Sequence, residues 1–171
     1  MSLRILMVNS TFYPNVVGGA ELSSWLLARE LTARGHHVDA LATTGYLDQG
    51  PRRELAARRL DGIDGEILEA ASGGHQHLLA RDGEPQPGLI TRSRHHFAQI
   101  HDGRWRKLVF QALHRTRPDL VHTNTIVGLS AAVWEAAHLS GIPVLHTLRD
   151  YHLLCPRTTL QRSSGDQCEG G

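Results

Sequence analysis

Gly18 and Gly19 are the residues whose position most suggests chemistry, because they lie between a short apolar run, Arg4–Val8, and a helix-like segment that continues to Arg34. The first N–H groups of a helix have no partner within the helix and lie at the positive end of its dipole. Glycine also lets a ligand approach the backbone closely. The pair therefore predicts a phosphate or diphosphate site with bare amides. The alternative is a tight turn that needs glycine only for its shape.

Three polar segments of the sequence place this candidate site at the edge of a sheet. Polar and reactive side chains follow three predicted strands, in the segments Asn9–Gly19, His122–Ile126 and Thr147–Pro156. Ligands of parallel α/β sheets bind outside the carboxyl ends of the strands, where the strand order reverses. We therefore expect these three segments to line one edge of a doubly wound sheet.

The elements that would position these residues alternate between strand and helix. Periodicity and turn residues predict strands at Arg4–Asn9, His37–Thr43, Glu66–Glu69, Asp119–Thr123 and Ile142–Thr147. They predict helices from Gly19 to Arg34 and from an Asp102 N-cap to a point before Pro118. A third helix is predicted by the apolar spacing from Leu129 to Ala137 and is closed by Gly141. This alternation predicts an α/β fold with a parallel, Rossmann-like sheet covered by helices on both faces.

Two parts of the chain give weaker expectations. The segment Gly45–Ile100 has little periodicity, and within it Ala71–Gly88 is rich in Gly, His and Pro and is expected to be a loop. The first helix carries apolar residues over most of its circumference, including Leu22 and Leu26. We expect it to be packed on several sides.

Composition excludes several classes of protein. The chain has 171 residues, of which 40% are hydrophobic and 20% charged, and its net charge is +1, so one globular domain without a nucleic-acid partner is expected. The apolar runs are too short for a membrane span, and the N-terminal run reads as a strand rather than a signal peptide. A cytoplasmic location follows as the default expectation. The two cysteines form no disulfide framework.

Four stretches together resemble one known family. They are YPNVVGGAE at 13–21, LTARGHHV at 31–38, RPDLVH at 117–122 and GIPVLHTLRDY at 141–151, and Cys155-Pro156-Arg157 extends the match. In this order and spacing they resemble the N-terminal domain of a GT-B-fold glycosyltransferase of family 4, the large retaining family. The resemblance covers most of the chain.

The resemblance implies a function. A nucleotide-diphosphate sugar would bind mostly to a second domain and the acceptor mostly to this one, with transfer by retention and without a metal or other cofactor. Gly18 and Gly19 would face the donor diphosphate and stabilise charge on the leaving group. We expect residues 1–171 to be the single acceptor-side domain, with the donor-side C-terminal domain absent from this chain. Alone, it should transfer little or no sugar.

Arg149 is the largest departure from the family pattern, which has histidine before Asp150. Arginine cannot exchange protons near neutral pH, but it can bind a phosphate bidentately. Arg149 and Asp150 are the candidate catalytic residues, and an ordinary ion pair is the alternative for Arg149. A non-catalytic, ligand-binding module that lost the histidine is the alternative function. A nucleotide-dependent oxidoreductase would need a GxGxxG loop, which this sequence lacks.

The other candidates each have a functional and a structural interpretation. His122, Asn124 and Tyr151 are candidate acceptor-binding residues. His122 could equally be a hydrogen-bonded histidine at the edge of the sheet, Tyr151 a packed aromatic residue, and Asn124, like Thr125, a helix cap. Asp150 binds an acceptor hydroxyl or fixes its loop. Glu21 suits the first turn of a helix without any chemical role.

Two surface features are also open. Cys155 and Cys168, with His152, are too widely spaced for a usual zinc site, and plain thiols are favoured over a metal or a loop disulfide. The segment Arg92–Arg117 contains seven basic residues and one acidic residue. It suits an anionic membrane surface, or it is a solvated face balanced by acids elsewhere.

Overall fold

A computed structural model describes residues 1–16, 18–44, 54–71, 100–151, 153–154, 160–161 and 164–167. Within these ranges the strands are β1 (Arg4–Val8), β2 (His37–Thr43), β3 (Ala56–Arg58), β4 (Ile67–Ala70), β5 (Leu120–Thr123) and β6 (Val144–His146). The helices are α1 (Gly19–Ala33), α2 (Gly103–Thr116) and α3 (Ala132–Leu139). The predicted alternation of strand and helix is confirmed, whereas the predicted loop at 72–88 lies outside the described residues.

The strands form one six-stranded sheet in the order β3-β4-β2-β1-β5-β6. Every neighbouring pair is parallel except β3 and β4, which are antiparallel. From β1 the chain moves to one side through β2, and from β5 it moves to the other side through β6. The strand order therefore reverses between β1 and β5, which is where the expected ligand site should lie.

The two faces of the sheet have separate cores. Leu6 and Val8 of β1 pack with α2 and α3 on one face. Ile5 and Met7 of the same strand pack with Ala28 of α1 on the other. This alternation follows from the twofold period of a strand and confirms helices on both faces.

Helix α1 differs from its expectation. Its buried residues are Glu21, Ser24 and Ala28, whereas Leu22 and Leu26 are 43% and 49% exposed. The prediction that α1 is packed on several sides is therefore wrong: Trp25, Leu27 and Leu31 pack against the same core as Ala28, while the face that carries Leu22 and Leu26 is exposed.

Helix α2 follows its prediction closely. The Asp102 carboxylate accepts hydrogen bonds from the amides of Arg104 and Trp105, which confirms the N-cap. The helix ends at Thr116, and its C-cap residue, Arg117, adopts a left-handed conformation (φ 46°) just before Pro118. None of the described helices is long and apolar enough to cross a bilayer.

The remaining boundaries shift. β3 was not predicted, and β4 begins one residue later than expected, because the amide of Glu66 instead bonds the buried Asp39 carboxylate. Helix α3 begins at Ala132 rather than Leu129. β6 spans only three of the six predicted residues and lies at the edge of the sheet, where its apolar residues are partly exposed.

Candidate functional site

The carboxyl ends of β1, β5 and β6 come together on the α1 face of the sheet. Ser10, after β1, donates a hydrogen bond to the carbonyl of Thr125, after β5 (3.2 Å). The side chain of Arg149, three residues after β6, reaches both the β5 end and α1. The three polar segments expected to line one edge therefore do meet there.

Arg149 joins these elements. Its Nε donates to Oδ1 of Asn124 and its Nη1 donates to Oγ of Ser23, each at 2.8 Å. Ser23 lies in the N-terminal part of α1, and its hydroxyl donates to the carbonyl of Ala20. Both partners of the guanidinium are uncharged, so these bonds leave its positive charge uncancelled at the N-terminal end of α1.

His122 lies near enough to Arg149 for the guanidinium charge to act on its imidazole. It is 5% exposed, and its Nε2 lies 2.8 Å from Oγ1 of Thr147. Burial lowers the pKa of His122 below its ordinary value of 6.5, and the charges of Arg149 and His146 lower it further. These effects favour the uncharged imidazole at neutral pH.

A second histidine lies on the opposite face of the sheet. Nδ1 of His146 is 2.8 Å from Oγ1 of Thr123, which also accepts a hydrogen bond from Nε1 of Trp134. Burial lowers the pKa of His146, while the charge of Asp150 and a hydrogen bond to the Thr123 backbone raise it in part. The sequence does not single out His146 as a site residue, and its position near the end of a predicted strand is the one signal that could have identified it.

The Gly18 amide has a partner within the protein. It donates to Oε2 of Glu21 at 2.8 Å, and Oε1 of the same carboxylate accepts from the Thr11 hydroxyl at 3.0 Å. The expectation of two bare amides is therefore wrong for Gly18. Glu21 is 7% exposed and closes the first turn of α1 from within, a structural role that the sequence favoured.

Gly19 is different, because it is exposed and an added Cβ would meet nothing within 4 Å. Within the described part of the chain, no group accepts a hydrogen bond from its amide. Neither glycine has a positive φ, and Gly18 is extended at φ −157°. The alternative of a turn that needs glycine for its shape is therefore contradicted, and close approach by a ligand remains an explanation for the pair.

Two asparagines at the edge are buried and incompletely bonded. Asn124 is 2% exposed, and its Nδ2 has no partner among the described residues. Asn9, on the neighbouring strand end, is 1% exposed, and both polar atoms of its amide lack a described partner. Helix α3 begins at Ala132, so the interpretation of Asn124 and Thr125 as helix caps is wrong.

The remaining candidates lie at the rim. Tyr151 is 50% exposed, so its ring is only partly packed. Asp150 lies near enough to His146 for its charge to act on that imidazole. Cys155, Cys168 and His152 fall outside the described residues. Among the described ones, no three His, Cys, Asp or Glu side chains lie together as a metal site.

The described part of the basic segment is partly balanced by acids. Arg106 pairs with Glu135 at 3.1 Å, and Arg115 pairs with Glu66 at 2.7 Å. These pairs favour a solvated face over a membrane surface for this part. Arg92 and Arg94 lie outside the described residues.

Comparisons with known proteins bear on the family and the fold of the chain. A family model described as Glycosyltransferase Family 4 matches residues 17–163. The chain is similar to an uncharacterized 42.6 kDa protein in the cps region of Klebsiella pneumoniae, with 26% identity over 164 residues. That alignment covers 96% of this chain but only 41% of the Klebsiella protein.

Two solved structures share the fold. The calicheamicin glycosyltransferase CalG4 has a TM-score of 0.51 and 16% identity, over 86% of this chain and 33% of that one. Sucrose-phosphate synthase (tll1590) from Thermosynechococcus elongatus has a TM-score of 0.50 and 13% identity, over 95% of this chain and 37% of that one. At these identities the likeness concerns the fold alone.

Proposed function

Because the chain belongs to glycosyltransferase family 4, we propose that it is the acceptor-side, N-terminal domain of a GT-B enzyme. The enzyme would transfer a sugar, with retention and without a metal, from a nucleotide-diphosphate donor to an acceptor. A C-terminal domain outside this chain would hold most of the donor. The length of the Klebsiella protein, of which this chain spans 41%, supports a second domain.

The observation that carries the proposal is the position of Arg149 beside the first turns of α1. Gly19 is exposed at the start of this helix, and the guanidinium donates to Ser23 four residues further along, so a helix N-terminus and a cation lie close together near the strand-order reversal. Backbone amides at a helix N-terminus and guanidinium groups are both strong ligands for phosphate oxygens. The arrangement supports a donor diphosphate at this position.

Arg149 and Gly19 would act by stabilising charge. As the sugar leaves, negative charge grows on the diphosphate, and fixed donors aimed at it lower the barrier. Arg149 cannot serve as a base, because guanidinium stays protonated. In this proposal Gly18 keeps the loop in place, and Asp150 binds the reacting acceptor hydroxyl.

His122, Asn124 and Tyr151 are proposed for the acceptor side. His122 is neutral and buried beside the site, so it can accept a hydrogen bond from a hydroxyl that reaches it. Tyr151 is 50% exposed, and its ring could stack on a sugar. The side-chain oxygen of Asn124 accepts a hydrogen bond from Arg149, so Asn124 would act on the acceptor indirectly, through Arg149.

The anion site can be tested with inorganic pyrophosphate, because a diphosphate group is common to all nucleotide-diphosphate sugar donors. Calorimetric titration of the chain should show binding that Arg149→Gln weakens at least about tenfold, since a charge-assisted hydrogen bond contributes about 1.5–3 kcal/mol. Arg34→Gln is the matched control, because Arg34 lies at the other end of α1 and pairs with Glu30. Equal affinity in both variants would contradict the proposal.

The alternative is a non-catalytic binding module, which the loss of the family histidine at Arg149 favours. This chain alone should transfer little or no sugar, so turnover by it would contradict the two-domain proposal. In a protein that includes the second domain, Arg149→His separates the alternatives. Gained transfer would indicate decay of an ancestral site, whereas lost transfer would indicate an adapted arginine.

A further inference from the structure

Arg149 is oriented by two acceptors that come from distant parts of the chain. Ser23 lies 126 residues before it and Asn124 lies 25 residues before it. A guanidinium has five N–H donors, and these bonds use two of them, one on Nε and one on Nη1. Two bonds to different nitrogens fix both the position and the plane of the group.

Asn124 can face Arg149 in only one orientation. Because guanidinium has no acceptor, the amide must present Oδ1 to it, and Nδ2 then points away into a buried position without a described partner. An unpaired buried N–H group is destabilising, because it loses its hydrogen bonds to water and gains none in return. Asparagine therefore does not favour stability at this position, and its side chain is explained by the hydrogen bond that it accepts from the Arg149 guanidinium.

Ser23 is equally directional. Its single proton goes to the carbonyl of Ala20 at 3.1 Å, so its oxygen lone pairs are left to accept from Arg149. The adjacent Ser24 is fully buried, and its hydroxyl has no partner in the described part of the chain. The contact with Arg149 is thus specific to position 23.

We infer that Ser23 and Asn124 are positioning residues that hold the Arg149 guanidinium beside the N-terminus of α1, with its remaining N–H groups directed to an anionic ligand. Neither residue touches the ligand itself. The identity of the ligand as a diphosphate rests on the proposed function, whereas the positioning role does not.

The first test needs no ligand, because the pKa of His122 depends on the position of the Arg149 charge. The Arg149 charge lowers the pKa of His122, so releasing the guanidinium should raise it. NMR titration of the His122 imidazole in the double variant Ser23→Ala, Asn124→Ala should show this rise. The same two changes in an Arg149→Gln background should leave the His122 pKa unchanged, because the charge they position is gone.

Matched controls are available at the neighbouring positions. Ser24→Ala and Asn9→Ala remove a serine and a buried asparagine that do not contact Arg149, and neither should alter the His122 pKa. Ser23→Thr keeps a hydroxyl and should restore the wild-type value relative to Ser23→Ala. If the double variant titrates like wild type, or if both controls shift His122 equally, the positioning role is refuted.

The second test uses pyrophosphate. The double variant should bind it at least about tenfold more weakly than wild type, approaching the affinity of Arg149→Gln. Wild-type affinity in the double variant would overturn the inference. If the wild-type chain binds no pyrophosphate, the proposed function fails, while the His122 titration still decides whether Arg149 is held by these two residues.

Discussion

Gly19→Pro should leave the fold intact while removing the amide of the exposed Gly19 from the candidate anion site. Gly19 is the first residue of α1, a position where proline is favoured because its missing N–H has no helical partner. The preceding Gly18 is extended (φ −157°), as residues before proline prefer. Replacing glycine at a compatible position stabilises by about 0.4–1 kcal/mol, and a chain of this size gains about 2–4 °C per kcal/mol. The expected change in Tm is therefore about +1 to +4 °C.

Binding should move in the opposite direction. Loss of one charge-assisted hydrogen bond removes about 1.5–3 kcal/mol, or about 10- to 150-fold in pyrophosphate affinity. Gly19→Ala keeps the N–H but adds a methyl group to space that is otherwise open within 4 Å. It should raise Tm similarly and weaken binding by crowding the ligand.

Gly103 provides the control, because it is the first residue of α2, its added Cβ also meets nothing within 4 Å, and it follows the extended Asp102. Gly103→Pro should raise Tm without affecting pyrophosphate affinity, as measured by thermal unfolding and calorimetry. The reasoning is refuted if Gly19→Pro lowers Tm by several degrees, which would give the amide an internal role. It is also refuted if Gly19→Pro binds pyrophosphate as well as wild type.

Two further predictions concern stability. Asn9→Leu should leave the free energy of unfolding unchanged or raise it by about 1–2 kcal/mol in urea denaturation, because the buried amide has no described partner. A decrease in the free energy of unfolding of more than about 2 kcal/mol would show that the Asn9 amide does have hydrogen-bond partners. The pKa values of His122 and His146 are lowered in the fold, so the unfolded chain binds protons first and stability should fall as pH drops below the ordinary value of 6.5. His122→Gln should flatten that slope, and an unchanged slope would show that His122 titrates normally.

The sheet could be predicted in large part because its signals are local. β1, β2 and β5 each pair with neighbours on both sides, and their apolar runs stand out from the polar residues that follow. β3 has only three residues and pairs along one edge, where Arg58 bonds Glu69 of β4. Such a strand depends on its partner rather than on a pattern of its own.

The exposed leucines of α1 show the opposite limit. An apolar pattern around a helix predicts contact on several sides, but the sequence does not say what would make that contact. The buried stripe instead contains Glu21, whose carboxylate is satisfied by Gly18 and Thr11. A buried acid in a first turn is therefore explained only by residues that the fold brings to it.

The candidate site was predictable as a location but not as a network. Strand ends and the glycine pair indicated the edge at which the polar segments meet, yet Ser23 carried no signal, because its partner is 126 residues away. Arg149 shows the same limit. From the sequence alone, it is a residue that cannot exchange a proton at a position where the family pattern has histidine. In the fold, it is a cation held by two neutral oxygens near the positive end of a helix. An ion pair would have cancelled that charge and these contacts do not, which supports the proposal that Arg149 attracts an anion over the alternative of a simple loss.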